Sequence, residues 1–248
     1  MKIKALTTLT ALLLGIFSVQ SAQAAIALDR TRVIYNGVEK SMSVNINNNN
    51  KTLPYLAQTW LEDTKGNKIT SPITPLPPIQ RVEPGAKSQI KLQGLETALH
   101  ALPQDRESLY YFNVREIPPK SSKPNTLQLA LQTRVKLFYR PAGLEVDNSA
   151  TPFQEKITLT KTGNGYTVNN PTPYYITLIN VQKNEKTPGD KNFQPLMVAP
   201  KGQAPLGASM AEAGSAPVVT YINDFGGRPK LVFSCSGSTC KVARSIKR

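Results

Sequence analysis

The chain breaks into short segments, and in several of them apolar and polar residues alternate. Met42, Val44 and Ile46 fall on one side of an extended segment, and Ser41, Ser43, Asn45 and Asn47 on the other. Lys87 to Leu92 alternates as well, Pro54 to Glu62 carries Leu56 and Trp60, and Leu109 to Ile117 is rich in aromatic and β-branched residues, with further short runs at Tyr174 to Val181, Val218 to Ile222 and Leu231 to Phe233. Turn signals punctuate them at Lys65-Gly66-Asn67, Glu83-Pro84-Gly85, Gly163-Asn164-Gly165 and Asn170-Pro171. No long segment carries a helical period, and Glu96 to Ala101 is short enough for one helical turn. Many short strands with regular punctuation predict an all-β chain of two immunoglobulin-like β-sandwich domains. Trp60 is expected at the core position of a central strand. The boundary is placed at Pro141-Ala142-Gly143, with about seven strands on each side.

One run is different in kind. Leu127, Leu129 and Leu131 alternate with Gln128, Ala130 and Gln132, and the segment runs on through Val135 and Leu137 to Arg140-Pro141. As the last strand of its domain it would carry three large apolar side chains on a free edge. Such an edge invites aggregation unless something covers it. The pattern therefore points to a strand lent to another chain.

The N-terminus says where. Lys2 and Lys4, the apolar run Leu9 to Val19 and the small-residue site Ala22-Gln23-Ala24 have the layout of a secretory signal peptide over residues 1–24. That run is too short to remain as a membrane span, and no later stretch is long and apolar enough to insert. Removing 24 residues from 248 leaves 224, room for domains at 25–141 and 144–248. Loss of Lys2 and Lys4 lowers the net charge from +14 to +12. The cations are scattered, so they read as a solvated surface rather than a nucleic-acid site.

Export also bears on Cys235 and Cys240, the only two cysteines, which read as a disulfide closing a small loop. With His100 the single histidine and remote in sequence, neither a metal site nor a Ser-His-acid triad is suggested. There is no P-loop and no complete GxGxxG, so no cofactor is expected. The chain reads as a binding protein and not an enzyme. A pilus subunit or adhesive domain is the rival, but such a subunit should look incomplete, whereas two full strand sets are visible.

The segment Leu109-Tyr-Tyr-Phe-Asn-Val-Arg-Glu-Ile-Pro-Pro119 resembles the signature of the periplasmic pilus chaperones, PapD-like members in particular. The likeness extends to Leu28-Asp-Arg-Thr-Arg32, Lys51 to Ala57, Pro77 to Gly85, Leu102 to Leu109 and Leu127 to Pro141. It resumes at Asn170-Pro-Thr-Pro-Tyr-Tyr175, Tyr221 to Pro229 and the cysteine pair. The resemblance implies two domains at an angle with a cleft between them, working in the periplasm. It implies binding of pilus subunits, pilins and adhesin alike, by donor-strand complementation through Leu127, Leu129 and Leu131. Delivery would be to an outer-membrane usher. The brief connection from Pro119 to Leu127 resembles the short-loop subfamily. By resemblance Arg32 and Lys136 hold the subunit's terminal carboxylate, and Glu107, Arg140 and Asp224 link the domains. Self-association of the free chain stays open as a way to hide the leucines. Strict alternation sets Lys136 opposite Leu131, so either the strand bulges or the cleft opens on the other face.

Overall fold

The computed structural model describes residues 24–147 and 149–247; the signal-peptide expectation at 1–24 thus lies almost wholly outside the described residues. The first domain contains β1 (Ile26–Leu28), β2 (Arg32–Asn36), β3 (Ser41–Asn48), β4 (Tyr55–Glu62), β5 (Lys68–Ile69) and β6 (Ile73–Leu76). It continues with β7 (Ile79–Val82), β8 (Lys87–Gly94), the helical turn α1 (Glu96–His100), β9 (Ser108–Ile117) and β10 (Gln132–Arg140). The second domain opens with a 3-10 turn (Phe153–Lys156), then β11 (Thr158–Thr162), β12 (Gly165–Asn170), β13 (Ile176–Gln182), β14 (Leu196–Val198) and β15 (Gly202–Ser209). It closes with α2 (Met210–Ala213), β16 (Val218–Ile222), β17 (Lys230–Ser236) and β18 (Thr239–Ile246).

In the first domain β1-β3-β8-β6 form one sheet and β2-β10-β9-β4-β5 the other, with β7 pairing on β4. The first extended run is split because the chain changes sheets between Leu28 and Arg32: β1 pairs with β3 and β2 with β10. This splitting, with another at Pro77-Pro78, is why ten short strands appear where about seven were expected. Alternation fills the core from both sheets, with Val44, Ile46, Ile90 and Leu92 facing Val33, Tyr35, Phe112, Val114, Leu137 and Tyr139. The second domain wraps one eight-stranded sheet around its own core, including Leu159, Val168, Leu178, Val219, Leu231 and Phe233. The cysteine pair bridges β17 and β18 directly opposite each other.

Trp60 departs from expectation. Period two on β4 sends Ala57 and Leu61 into the core, so Trp60 lies on the outer face. It is covered there instead, with Lys68 Nζ 4.4 Å and the Arg115 guanidinium 5.2 Å from the ring centroid. Its indole N–H donates to Glu62.

Candidate functional site

The last strand of the first domain changes character along its length. The expected strand from Leu127 begins only at Gln132, because among the described residues no strand pairs with the residues before it. The final backbone tie is the Glu116 N–H donating to Leu131 O at 2.9 Å. Upstream, Leu127 is 85%, Leu129 68% and Leu131 42% exposed, in a connection held only by contacts such as Gln128 Nε2 donating to Pro119 O. From Gln132 to Tyr139 the strand pairs with β9 without a register shift, while β2 joins the other edge only at Lys136 to Arg140. One edge of the chain is therefore open from Leu127 to Val135. The unbroken ladder also settles the face of Lys136. Val135, Leu137 and Tyr139 point to the core, and Lys136, Phe138 and Arg140 point to the second domain. No bulge is needed, since the cleft opens on that face.

At the point where the open edge ends, two cations stand side by side. The parallel pairing of β2 with β10 sets Arg32 opposite Lys136. Arg32 is buried, with Nη1 donating to Ile222 O at 3.3 Å and Nε buried without a partner among the described residues. Burial pulls Arg32 below the ordinary arginine range, although Asp224 and Glu107 draw it back up. Burial, and then the charge of Arg32, lowers Lys136 as well. Two desolvated like charges with an orphaned N–H form a site short of an anion.

Behind them lies a cluster that joins the domains. Arg140 Nη2 is 2.7 Å from Glu107 Oε1, and Nη1 is 2.9 Å from Asp224 Oδ2. Each partner is set by its own local chemistry. Asn170 is fully buried. Its amide donates to Tyr174 O and Ala199 O, and its oxygen accepts from Thr172. This side chain shapes the loop bearing Pro171 and Pro173, so that Tyr175 N–H donates to Glu107 Oε2 at 2.7 Å and Glu107 N–H to Pro173 O at 2.9 Å. Asp224 sits in the turn after β16, where Asn223 Oδ1 accepts from Phe225 and Gly227 N–H. Gly226 has φ +83° there, and a Cβ would fall 2.7 Å from Thr31 Oγ1 of the other domain, so only glycine fits. Burial pushes the Glu107 carboxyl up to about 7, against the charge of Arg140 and the Tyr175 N–H. Arg32, Arg140, Asp224 and the exposed ring of Phe225 line a cavity of about 580 Å³ between the domains.

Two sequence models match this chain: the pili and flagellar-assembly chaperone PapD N-terminal domain over residues 25–145, and the pili assembly chaperone PapD C-terminal domain over residues 152–233. The chain belongs to the PapD family of pili assembly chaperones. It is 52% identical over 238 residues to the probable fimbrial chaperone YfcS of Escherichia coli K12, covering 96% of this chain and 93% of that one. It is 46% identical over 230 residues to the chaperone protein PapD of Escherichia coli, covering 92% and 94%. Among solved structures, the Salmonella enterica SafA pilin in complex with the SafB chaperone superposes with a TM-score of 0.68 at 25% identity, over 84% of this chain and 94% of that one.

Within this pili assembly chaperone, the structure brings Arg32 to Lys136 and Arg140 to both Glu107 and Asp224, and leaves Leu127, Leu129 and Leu131 bare. Sequence reasoning passed over Tyr175, whose N–H and ring (5.5 Å from that of Phe138) complete the contact between domains. The Asn-Pro-Thr-Pro-Tyr-Tyr run containing it was the available signal. It also missed a second bridge, Lys201 Nζ to Asp105 at 2.7 Å, for which neither residue carries a local signature.

Proposed function

We propose that this chain captures pilus subunits, pilins and adhesin, by lending them the segment Leu127 to Val135. The observation that carries this is the open edge of that segment ending at Arg32 and Lys136. A strand added there in parallel with β10 is collinear with β2 and ends where β2 begins. Its terminal carboxylate then meets the two cations and the orphaned Arg32 N–H. An antiparallel strand would bring its N-terminal ammonium toward the same cations, so charge selects the parallel orientation.

Burying three leucines contributes about 1.5–3 kcal/mol each, or roughly 5–9 kcal/mol together. Ladder hydrogen bonds add on the order of 1 kcal/mol each. Lost translational and rotational freedom is of comparable size, which leaves a complex that another strand can displace. Displacement fits hand-over to an outer-membrane usher. Residues 1–24 are read as a leader removed on export to the periplasm, leaving domains 25–141 and 144–248 with no enzymatic role. The connection before Leu127 suits the short-loop subfamily.

The test is co-expression with a pilin subunit followed by pull-down, beside the same subunit extended by a few residues past its C-terminus. Capture of the natural subunit and loss of the extended one is expected, because the extension removes the carboxylate from its seat. Equal capture of both would sink the carboxylate anchor.

A further inference from the structure

Glu116 lies next to the root of the lent segment and has no described role there. Its residue is 6% exposed, and none of the ion pairs among the described residues includes it. Its hydrogen bond is from the Ile26 N–H to Oε2 at 2.9 Å. Among the described residues this is the one hydrogen bond to the carboxylate, and its donor is a neutral amide, so the group has room for a cationic partner. The position of that donor is informative, because Ile26 is one residue beyond Ala25, the first residue after the expected cleavage site.

We propose that the α-ammonium of Ala25, created when the leader is removed, pairs with the Glu116 carboxylate and fixes the root of the donor segment. This rests on the reading of residues 1–24 as a cleaved leader. In the uncleaved chain the Ala25 nitrogen is a neutral peptide amide; after cleavage it is a cation. Covalent geometry puts it about 3–3.7 Å from the Ile26 nitrogen that Glu116 already contacts. Ala25 is itself buried and fixed in place, its carbonyl accepting from Asn49 N–H at 2.7 Å, and the chain bends at this residue. The new charge therefore arises close to a carboxylate that none of the ion pairs among the described residues includes, where a charge-assisted hydrogen bond can form.

The backbone of Glu116 gives this pairing its consequence. Its N–H is the donor to Leu131 O, the last tie before the open segment. One residue thus holds the mature N-terminus by its side chain and the donor root by its main chain. Export processing would tighten the root from which Leu127 to Leu131 project, so a chain still carrying its leader would present them less rigidly.

The experiment uses the exported, purified chain. Intact mass first establishes that it begins at Ala25. The Ala25 ammonium is then titrated by NMR with ¹⁵N-labelled alanine, and amide exchange is followed at Glu116. The ammonium should titrate above the ordinary range of about 7.7–8.0 for an α-amino group, and return to it in Glu116→Gln. Amide exchange at Glu116 should quicken about tenfold in that variant, the factor given by 1.4 kcal/mol. Chemical acetylation of Ala25 on the folded chain should quicken it equally, and this arm carries the test if Glu116→Gln does not fold. An ordinary titration that Glu116→Gln leaves unchanged overturns the pairing while leaving the leader reading intact. A raised titration with unchanged exchange keeps the pairing and overturns its hold on the root. An exported chain beginning elsewhere than Ala25 overturns the cleavage reading and the pairing together.

Discussion

Residues 127–135 and 136–140 form one continuous stretch, yet they break opposite rules. The upstream part exposes three leucines beside an edge with no partner strand. The downstream part has strands on both edges and buries charge, with Arg140 only 4% exposed and Lys136 desolvated against Arg32. Free apolar surface is an aggregation hazard, and buried like charge is unfavourable. Each is a deficit, and one object remedies both: an extended strand with an apolar groove and a terminal carboxylate. The comparison teaches that, on the proposed function, binding specificity would be stored as two different shortages placed end to end.

The most severe way to break the upstream part is Leu129→Glu. A carboxylate would be carried into an apolar groove without a counter-charge, so capture should be abolished in co-purification. The free protein should melt within about 2 °C of wild type, because a mostly exposed position contributes little to its own fold. Normal co-purification of this variant would remove the donor segment from the account.

Next in size is Arg140→Ala, which strikes the downstream part. It leaves Glu107, 3% exposed, without its cation, and should lower unfolding stability by about 3–5 kcal/mol in denaturant titration. Arg32→Ala and Lys136→Ala separate the two sorts of buried charge. Each should weaken capture by about 2–5 kcal/mol. Neither should reduce the stability of the free protein, since each removal relieves the other cation. A loss of stability matching that of Arg140→Ala would mean that Arg32 and Lys136 serve the fold and not a ligand.

Much of this was legible because period two is a strong local signal. It marked β3 and β8, and it put Lys136 on the face opposite the leucines before any strand pairing was known, while β9 was legible from its aromatic and β-branched residues. Residue type misled at Trp60, where a large apolar residue holds an outward position under Lys68 and Arg115; type and phase disagreed, and phase won. The turn α2 carried a capping box, Ser209 with Glu212, that went unread because strands dominated the pattern. Contacts made by loops were not legible at all. The Asn170 amide chooses carbonyls at Tyr174 and Ala199, and the Tyr175 N–H finds Glu107 across the domain boundary. Those choices depend on where distant segments end up, which local spacing does not encode.

The smallest effect sharpens the comparison by pH. Leu127 to Leu131 contains no titratable group, whereas the downstream part leans on Glu107, whose carboxyl is pushed up to about 7 by burial. An unfolded glutamate titrates at about 4.3, so the folded chain holds this proton more tightly across the window between. The sign follows. Stability from this group is full below about 4.3 and is lost as pH rises through about 7. Thermal melting of wild type should therefore decline modestly from pH 5 to pH 8, with Arg140 charged throughout. Glu107→Gln, with nothing to titrate, should show a flatter profile across the same range. If the two profiles are parallel, Arg140 and the Tyr175 N–H outweigh burial and keep Glu107 ionised, and the downstream part is a satisfied ion cluster whose only shortage lies at Arg32 and Lys136.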